Sequence, residues 1–461
     1  MRRTNEALRG LLVEARWTGD ALARQVNALG QEIGLVSRLD RRSVSHWLAG
    51  RRPRPPLPEL IAEALARRLG RPVTAAETGL GPQPATGIPA PADPKSDPLE
   101  TLELLCKLAE SGQETGQGGV YSLADLAVVH AWPADDLFQP PFREPRGPRL
   151  EPEHVIAAQQ MAQVFRGADS VYGGGYARAA LARYLAYDIA PRLSAPARRE
   201  TRRRMLSVAT ELAYLCGFMC FDDEQNAIAQ RYYLAALKLS IENEDPLAYA
   251  ATLRALSVQA RTLGHAAEAL RLAQAAVASV PDRGNDDEAS ADLRRAALYG
   301  PLAAAAAAHG DRDAALAALR HAEHLIGDLV TAGPETGGAR PIGRYHAASH
   351  AYQAAAVRAL LGDRAGAIRT LSESIRGRAA DERRSRAITL ASLAELHLDQ
   401  GHLDESVAAC HAFIDDYLSL HSSRAQSALA RLTARLRPHA AHHHSARQLL
   451  VRAAAVSRPA G

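Results

Sequence analysis

Between residues 40 and 56 the chain reads DRRSVSHWLAGRRPRPP, and the residue types in it suit one kind of chemistry. Arginine pairs bidentately with guanine O6 and N7, while histidine and serine donate or accept at base edges. Arg41, Arg42, Ser43, Ser45 and His46 are therefore candidate base readers. Arg51, Arg52 and Arg54, set among prolines, suit clamping of phosphate. Such a reading needs a short helix: Asp40 as its N-cap, Val44, Trp47 and Leu48 on the inward face, Gly50 and Pro53 as its stop. The plainer alternative is a solvated basic face.

The arginine total does not favour either reading, because 52 Arg against three Lys (Lys95, Lys107, Lys238) with abundant alanine reflects a GC-rich coding bias. The distribution is more informative. Residues 1–80 carry 14 Arg, no Lys and 8 acidic residues, a net +6 in a chain whose total is +4. The basic excess thus belongs to the segment that holds the candidate reader, as a phosphate-meeting module requires.

Other chemistries find less support. His321 and His324, and His346 and His350, have spacings that share a helix face, yet repeat-surface histidines explain them better than zinc, and no metal or cofactor is expected. Gly173-Gly174-Gly175 lacks the lysine of a phosphate loop and is read as a break between helices. No HExxH or GxSxG occurs, and no paired carboxylates sit in a catalytic setting, so an enzyme is not expected. Cys106, Cys216, Cys220 and Cys410 fit neither a disulfide framework nor a CxxC site and are read as buried free thiols. Without an apolar leader or an unbroken apolar run of about 18 residues, the expectation is a cytoplasmic protein with no membrane contact.

The elements that must position the reader are helices. Aromatics make up 5% of the chain and strand patterns are scarce, so the fold class is all-α. Four apolar stripes with helical spacing run through residues 4–70: Leu8/Leu11/Leu12/Ala15, Leu22/Ala23/Val26/Leu29, Val44/Trp47/Leu48, and Leu57/Leu60/Ile61/Ala64/Leu65/Leu69. These predict a small bundle over 1–80. Residues 81–98 read as a proline-rich linker. Residues 99–150 form a connector with helices near 99–110 and 122–131, and residues 436–461 a polar or helical tail.

Over 151–435 one spacing recurs: Gly264/Ala269/Ala273/Ala276 with Pro281, Gly310/Ala315/Leu319/Ala322, Gly362/Ala367/Leu371/Ser374 and Gly401/Ser406/Cys410/Phe413, plus a degenerate copy from Gly217, Ala229, Tyr233 and Ala236. A glycine permits the tight turn between antiparallel helices, and small residues let them pack closely. The pattern resembles the tetratricopeptide repeat, with longer spacing, and implies an α-solenoid of helical hairpins; an alanine-rich globular helical array is the alternative.

A wider resemblance is carried by ALARQVN (21–27), RRSVSHWLAG (41–50), PRPPLPELIAEALARRLG (53–70), VTAAETGL (73–80), and the stretches 168–193 and 211–240. These resemble actinobacterial XRE-like helix-turn-helix transcriptional regulators with C-terminal tetratricopeptide-like repeats, of the NsdA type. The segment GQEIGLVSRL departs from that pattern, being longer than a standard turn before the reading helix. The resemblance implies double-stranded DNA as partner, repression rather than activation, a peptide or protein effector in the repeat groove, and a homodimer. By repeat register the groove would include Tyr214, Phe218, Arg254, Arg261, Tyr352 and Glu395. The alternative is a repeat scaffold or peptide receptor that acts by sequestration without binding DNA.

Overall fold

The structure, a computed structural model, describes residues 4–81, 96–110, 119–133, 138–140, 143–280, 288–332 and 345–456. Regular structure among them is helical, apart from one isolated parallel bridge between Leu150 and Ala197. The chain is all-α. Most of the expected linker, the glycine-rich loop at 111–118 and Pro281 lie outside the described residues.

Four helices open the chain: α1 (Glu6–Glu14), α2 (Gly19–Glu32), α3 (Arg41–Leu48) and α4 (Leu57–Leu69). The apolar stripes read from sequence are what they bury. Leu8, Leu22, Val26, Val44, Ile61 and Leu65 are fully enclosed, each burial removing side-chain surface worth about 1.5–3 kcal/mol from water. Thr18 caps α2 by accepting from the Ala21 amide, Pro58 lies in the first turn of α4, and Gly70 ends α4 in the left-handed conformation. Asn5 fastens the ends together. Its Oδ1 caps α1 at the Leu8 amide, its Nδ2 donates to the Thr78 carbonyl, and its backbone N–H donates to the Leu48 carbonyl. Gly79 packs so closely over Asn5 that a Cβ there would lie 2.4 Å from Oδ1, and Leu80 is buried at the bundle's edge.

Beyond the bundle come α5 (Pro98–Glu110), α6 (Pro152–Tyr172) and α7 (Gly174–Tyr184). α7 runs on through a π turn, Leu185–Ile189, into Ala190–Leu193. The helix expected near 122–131 is only a single 3-10 turn, Leu123–Leu126, because Leu123 and Leu126 are buried while the next residues leave the helical path. α8 (Arg199–Asp222) to α11 come next: α9 (Asn226–Glu242), α10 (Pro246–Thr262) and α11 (Ala266–Ala278). Then come α12 (Glu288–His309), α13 (Arg312–Ala332), α14 (Ala347–Leu360), α15 (Arg364–Arg376), α16 (Arg383–Asp399), α17 (Leu403–Tyr417), α18 (Ser423–Leu436) and α19 (His444–Val456). α8 has the length and composition of a membrane-crossing helix, although no unbroken apolar run appears in the sequence; 83% of its apolar window is buried within the protein.

The recurring spacing corresponds to real hairpins. Gly264, Gly310, Gly362 and Gly401 all hold positive φ, between 76° and 92°, in the turns of α10–α11, α12–α13, α14–α15 and α16–α17. The small and apolar residues after each glycine are buried in every copy, from Ala269 at 0% exposure to Phe413 at 0%. Gly217 does not play the turn role assigned to it. It lies inside α8, where a Cβ would come within 2.8 Å of the Tyr233 ring, so it serves a close helix crossing. The turn residue in register with Ala229, Tyr233 and Ala236 is Glu224, at φ 58°.

Contacts divide the chain into two compact units that cut across the boundaries expected from sequence. The first comprises Met1–Ala158, Ala179–Phe221 and Gln225–Ser279, and so joins the four-helix bundle to the connector and the first hairpins. The second comprises Gln159–Arg178, Asp222–Glu224 and Val280–Gly461. In the second, the triglycine is a helix break: Gly173 has φ 84°, and its Cβ would meet the His421 carbonyl oxygen at 2.7 Å. Nearby, the largely enclosed Arg384 bonds Asp169 at 3.1 Å, and burial pushes the Asp169 carboxyl up to about 6. The expected tail is a packed helix, since Ala446, Leu449 and Ala453 of α19 are enclosed in that unit's core. All four cysteines are buried free thiols.

Candidate nucleic-acid interface

α3 is short and exposed, and its two ends are defined by side chains and backbone together. Asp40 Oδ1 accepts from the Ser43 amide and hydroxyl, both at 2.9 Å, and the Asp40 amide donates to Ser43 Oγ, a reciprocal capping box. These bonds hold the Asp40 carboxyl below the usual carboxylate range. At the other end Gly50 takes φ 87°, and the Arg51 amide donates to the His46 carbonyl, the six-to-one bond of a Schellman stop. Val44 and Trp47 face the bundle core and Leu48 is half-buried, as their spacing predicts.

The outward face collects the cations. Arg41, Arg42, Ser45 and His46 are exposed on α3, and Arg51, Arg52 and Arg54 are exposed just beyond it around the buried Pro53. Two serines of the expected set have duties inside the helix. Ser43 is committed to the cap, and Ser45 Oγ donates to the Arg41 carbonyl, leaving only its lone pairs outward. Sequence reasoning passed over Arg38, exposed in the turn before the cap, and Arg24, exposed on α2.

Three other arginines of the bundle are used by the fold, while Arg16 and Arg24 are exposed and make no ion pair among the described residues. Arg67 bonds Glu32 with both terminal nitrogens and Glu63 with Nε, Arg68 donates to the Ala15 carbonyl, and Arg71 bonds Glu14 and Glu77. Although burial works against its charge, pairing raises the Arg67 pKa; for Arg71 the Glu14 bond is the main cause of the same shift. By contrast, Arg38, Arg41, Arg42, Arg51, Arg52 and Arg54 make no ion pair among the described residues. Unneutralised guanidinium groups gathered on one exposed helix and its flanks are what a polyanion attracts.

The long segment before α3, Ile33–Asp40, is ordered from within. Asn27 Oδ1 accepts from the Leu39 amide and Ser37 hydroxyl, and its Nδ2 donates to the Leu39 carbonyl, each at 2.9 Å. Gly30 lets the turn close, its backbone carbonyl accepting from the amides of Ile33 and Leu35, while a Cβ would stand 3.0 Å from the Leu35 oxygen. An asparagine in mid-helix is a poor helix former that bonds backbone, and that anomaly was the available signal for this lock.

The residues of the expected repeat groove fall in both units. Tyr214 and Arg254 meet within the first unit, Arg254 donating to the tyrosine hydroxyl at 2.6 Å, and Phe218 and Arg261 belong to the same unit. Tyr352 and Glu395 belong to the second, where Tyr352 packs on the core and Glu395 accepts from Arg431 at 3.2 Å. Of the paired histidines, His346 occupies the N-cap position of α14 without a side-chain cap bond and meets Glu382 at 2.8 Å, whereas His350 is buried four residues on.

Residues 8–81 match the family model of the SP15 N-terminal domain. The match begins at the first buried residue of α1 and ends one residue after buried Leu80, so it covers the bundle and none of the repeats. No curated protein matches the chain.

Proposed function

We propose that the protein is a cytoplasmic, sequence-specific DNA-binding transcriptional regulator, a repressor rather than an activator, and not an enzyme. The observation that carries this reading is the division of the bundle's arginines. Arg67 on α4 and Arg71 after it are neutralised by carboxylates and Arg68 is held on a backbone carbonyl, whereas those on α3 and its flanks are exposed and unpaired. Arg41 and Arg42 at the start of α3, with His46 one turn on, would address base edges in the major groove, and Arg51, Arg52 and Arg54 the adjacent phosphates. The resemblance to XRE-like regulators supports the same assignment.

In this reading the hairpin array takes up a peptide or protein effector and mediates homodimerisation, so that two bundles engage two half-sites. Selection of bound sequences from a random duplex pool, and then affinity titration over a salt series, tests it. Affinity should fall steeply with salt for the selected site, and Arg41→Ala/Arg42→Ala should cost about 10- to 100-fold and relax the preference. Binding that is flat in salt and indifferent to sequence returns the chain to an interaction scaffold or peptide receptor.

A further inference from the structure

α4 is buried on more sides than a four-helix bundle demands. Leu60, Ile61, Ala64 and Leu65 fill the bundle, yet Ala62, Glu63 and Ala66 are enclosed too. Glu63, 3% exposed, meets His265, 2% exposed, with Nε2 2.7 Å from Oε1. His265 directly follows the turn glycine of the α10–α11 hairpin, 202 residues away in sequence and within the same compact unit. Tyr121 stacks on the imidazole at 5.5 Å, and burial together with the Glu63 charge pushes its hydroxyl well above the ordinary range. His265 Nδ1 has no hydrogen-bond partner among the described residues, so the useful imidazole proton is on Nε2, donated to Glu63.

The contact does not stop at Glu63. The same Oε1 accepts from Arg67 Nε at 2.9 Å, and the two terminal nitrogens of Arg67 hold both oxygens of Glu32 at 2.8 and 2.9 Å. Glu32 is the last residue of α2, directly before the Ile33–Asp40 turn that Asn27 locks and that delivers Asp40 to cap α3. The burial of Glu63 and His265 is hard to explain as solubility or surface charge, because the hydration they give up is replaced only by each other and by Arg67, while Glu32 at the far end stays in contact with solvent.

We propose that His265, Glu63, Arg67 and Glu32 form a positioning relay, through which the state of the α10–α11 hairpin sets the entry turn and hence the placement of α3. The bundle is then coupled to the α10–α11 hairpin by packed side chains and not merely tethered by the linker. None of the four is assigned to DNA, so they are positioning residues. The inference rests on the DNA-binding reading only for its second readout.

The test uses the full-length chain. His265→Leu keeps volume and removes the donor; His265→Gln restores a donor. In the protein free of DNA, amide hydrogen exchange over residues 33–40 should rise about tenfold in His265→Leu and return toward the starting value in His265→Gln. Affinity for the selected duplex should fall about three- to tenfold in His265→Leu, with no further loss when Arg67→Met is already present. Exchange at 33–40 that stays unchanged, or affinity losses that simply add, overturns the relay. Should His265→Leu not fold, Glu32→Gln decides the matter, since Glu32 is half-exposed: faster exchange at 33–40 supports the relay, and unchanged exchange refutes it. A chain that binds no DNA but shows the exchange effect refutes the functional reading alone.

Discussion

The turn that enters α3 and the turns that close the repeat hairpins meet the same geometric demand with different parts. Before α3 the backbone is held by side chains: Asn27 supplies three hydrogen bonds to Ser37 and Leu39, and Asp40 caps the helix itself. At Gly264, Gly310, Gly362 and Gly401 the chain turns on a glycine that takes positive φ without a Cβ clash, and only Asp311 and Asp363 add a side-chain cap to the helix that follows. The first kind depends on a few polar groups whose loss loosens one segment. The second depends on conformation at one residue and on packing behind it.

If that distinction holds, the largest loss of stability should come from behind a hairpin turn. Phe413 is fully enclosed in the core of the second unit, twelve residues after Gly401. Phe413→Ala should cost about 3–5 kcal/mol, read by denaturant unfolding, because transfer energy and an unfilled cavity add. A loss near 1 kcal/mol would mean that the α16–α17 hairpin depends on its turn more than on its packing.

Asn27→Ala should come next, at about 2–3 kcal/mol, since the Leu39 amide and carbonyl lose their partner together. Its effect should be confined to the entry turn and α3, seen as faster amide exchange at residues 33–48, with α16 and α17 unmoved. Under the proposed DNA-binding reading, affinity for the selected duplex should fall in the same variant. Exchange that rises equally in both places would erase the difference between the two kinds of turn.

Legibility divided along the same line. The four stripes of the bundle, the α3 caps and the hairpin glycines were readable because each rests on local spacing, and local spacing fixes which face is buried. Gly217 misled because a glycine needed for a helix crossing looks the same in sequence as one needed for a turn; only the ring of Tyr233 tells them apart. Glu224 was invisible as a turn because nothing in its type demands positive φ. At the site, Arg41 and Arg42 could be named, but their being unpaired could not, since that depends on Glu14, Glu32 and Glu63 facing other arginines across the bundle. The groove residues were projected from repeat register, and they are distributed over both units.

Substituting the turn glycines gives a smaller effect. Gly264→Ala and Gly401→Ala should each cost about 1 kcal/mol, the left-handed strain of an alanine partly offset by a less flexible unfolded chain. No atom lies within 4 Å of the Cβ that would be added at either position, so conformation alone is being measured. The two lie in separate hairpins, and their costs should add within experimental error in thermal unfolding.

The smallest effect, and the sharpest on the side-chain turn, concerns Asp40. Its pKa is lowered by the bonds from Ser43, so the cap's contribution is present above the unfolded value near 4 and is lost as pH falls through the lowered folded value. α3 should therefore fray in acid, monitored by amide exchange or chemical shifts of residues 41–48 between pH 5 and pH 2, while α16 and α17 hold. Asp40→Asn keeps an acceptor at the cap that does not titrate. That variant should leave α3 as ordered at neutral pH as the parent and remove the acid fraying. A parent α3 that stays ordered down to pH 2 would show that the Schellman stop and the Asn27 lock fix the helix without its cap, and the side-chain dependence of the turn would reduce to a single asparagine.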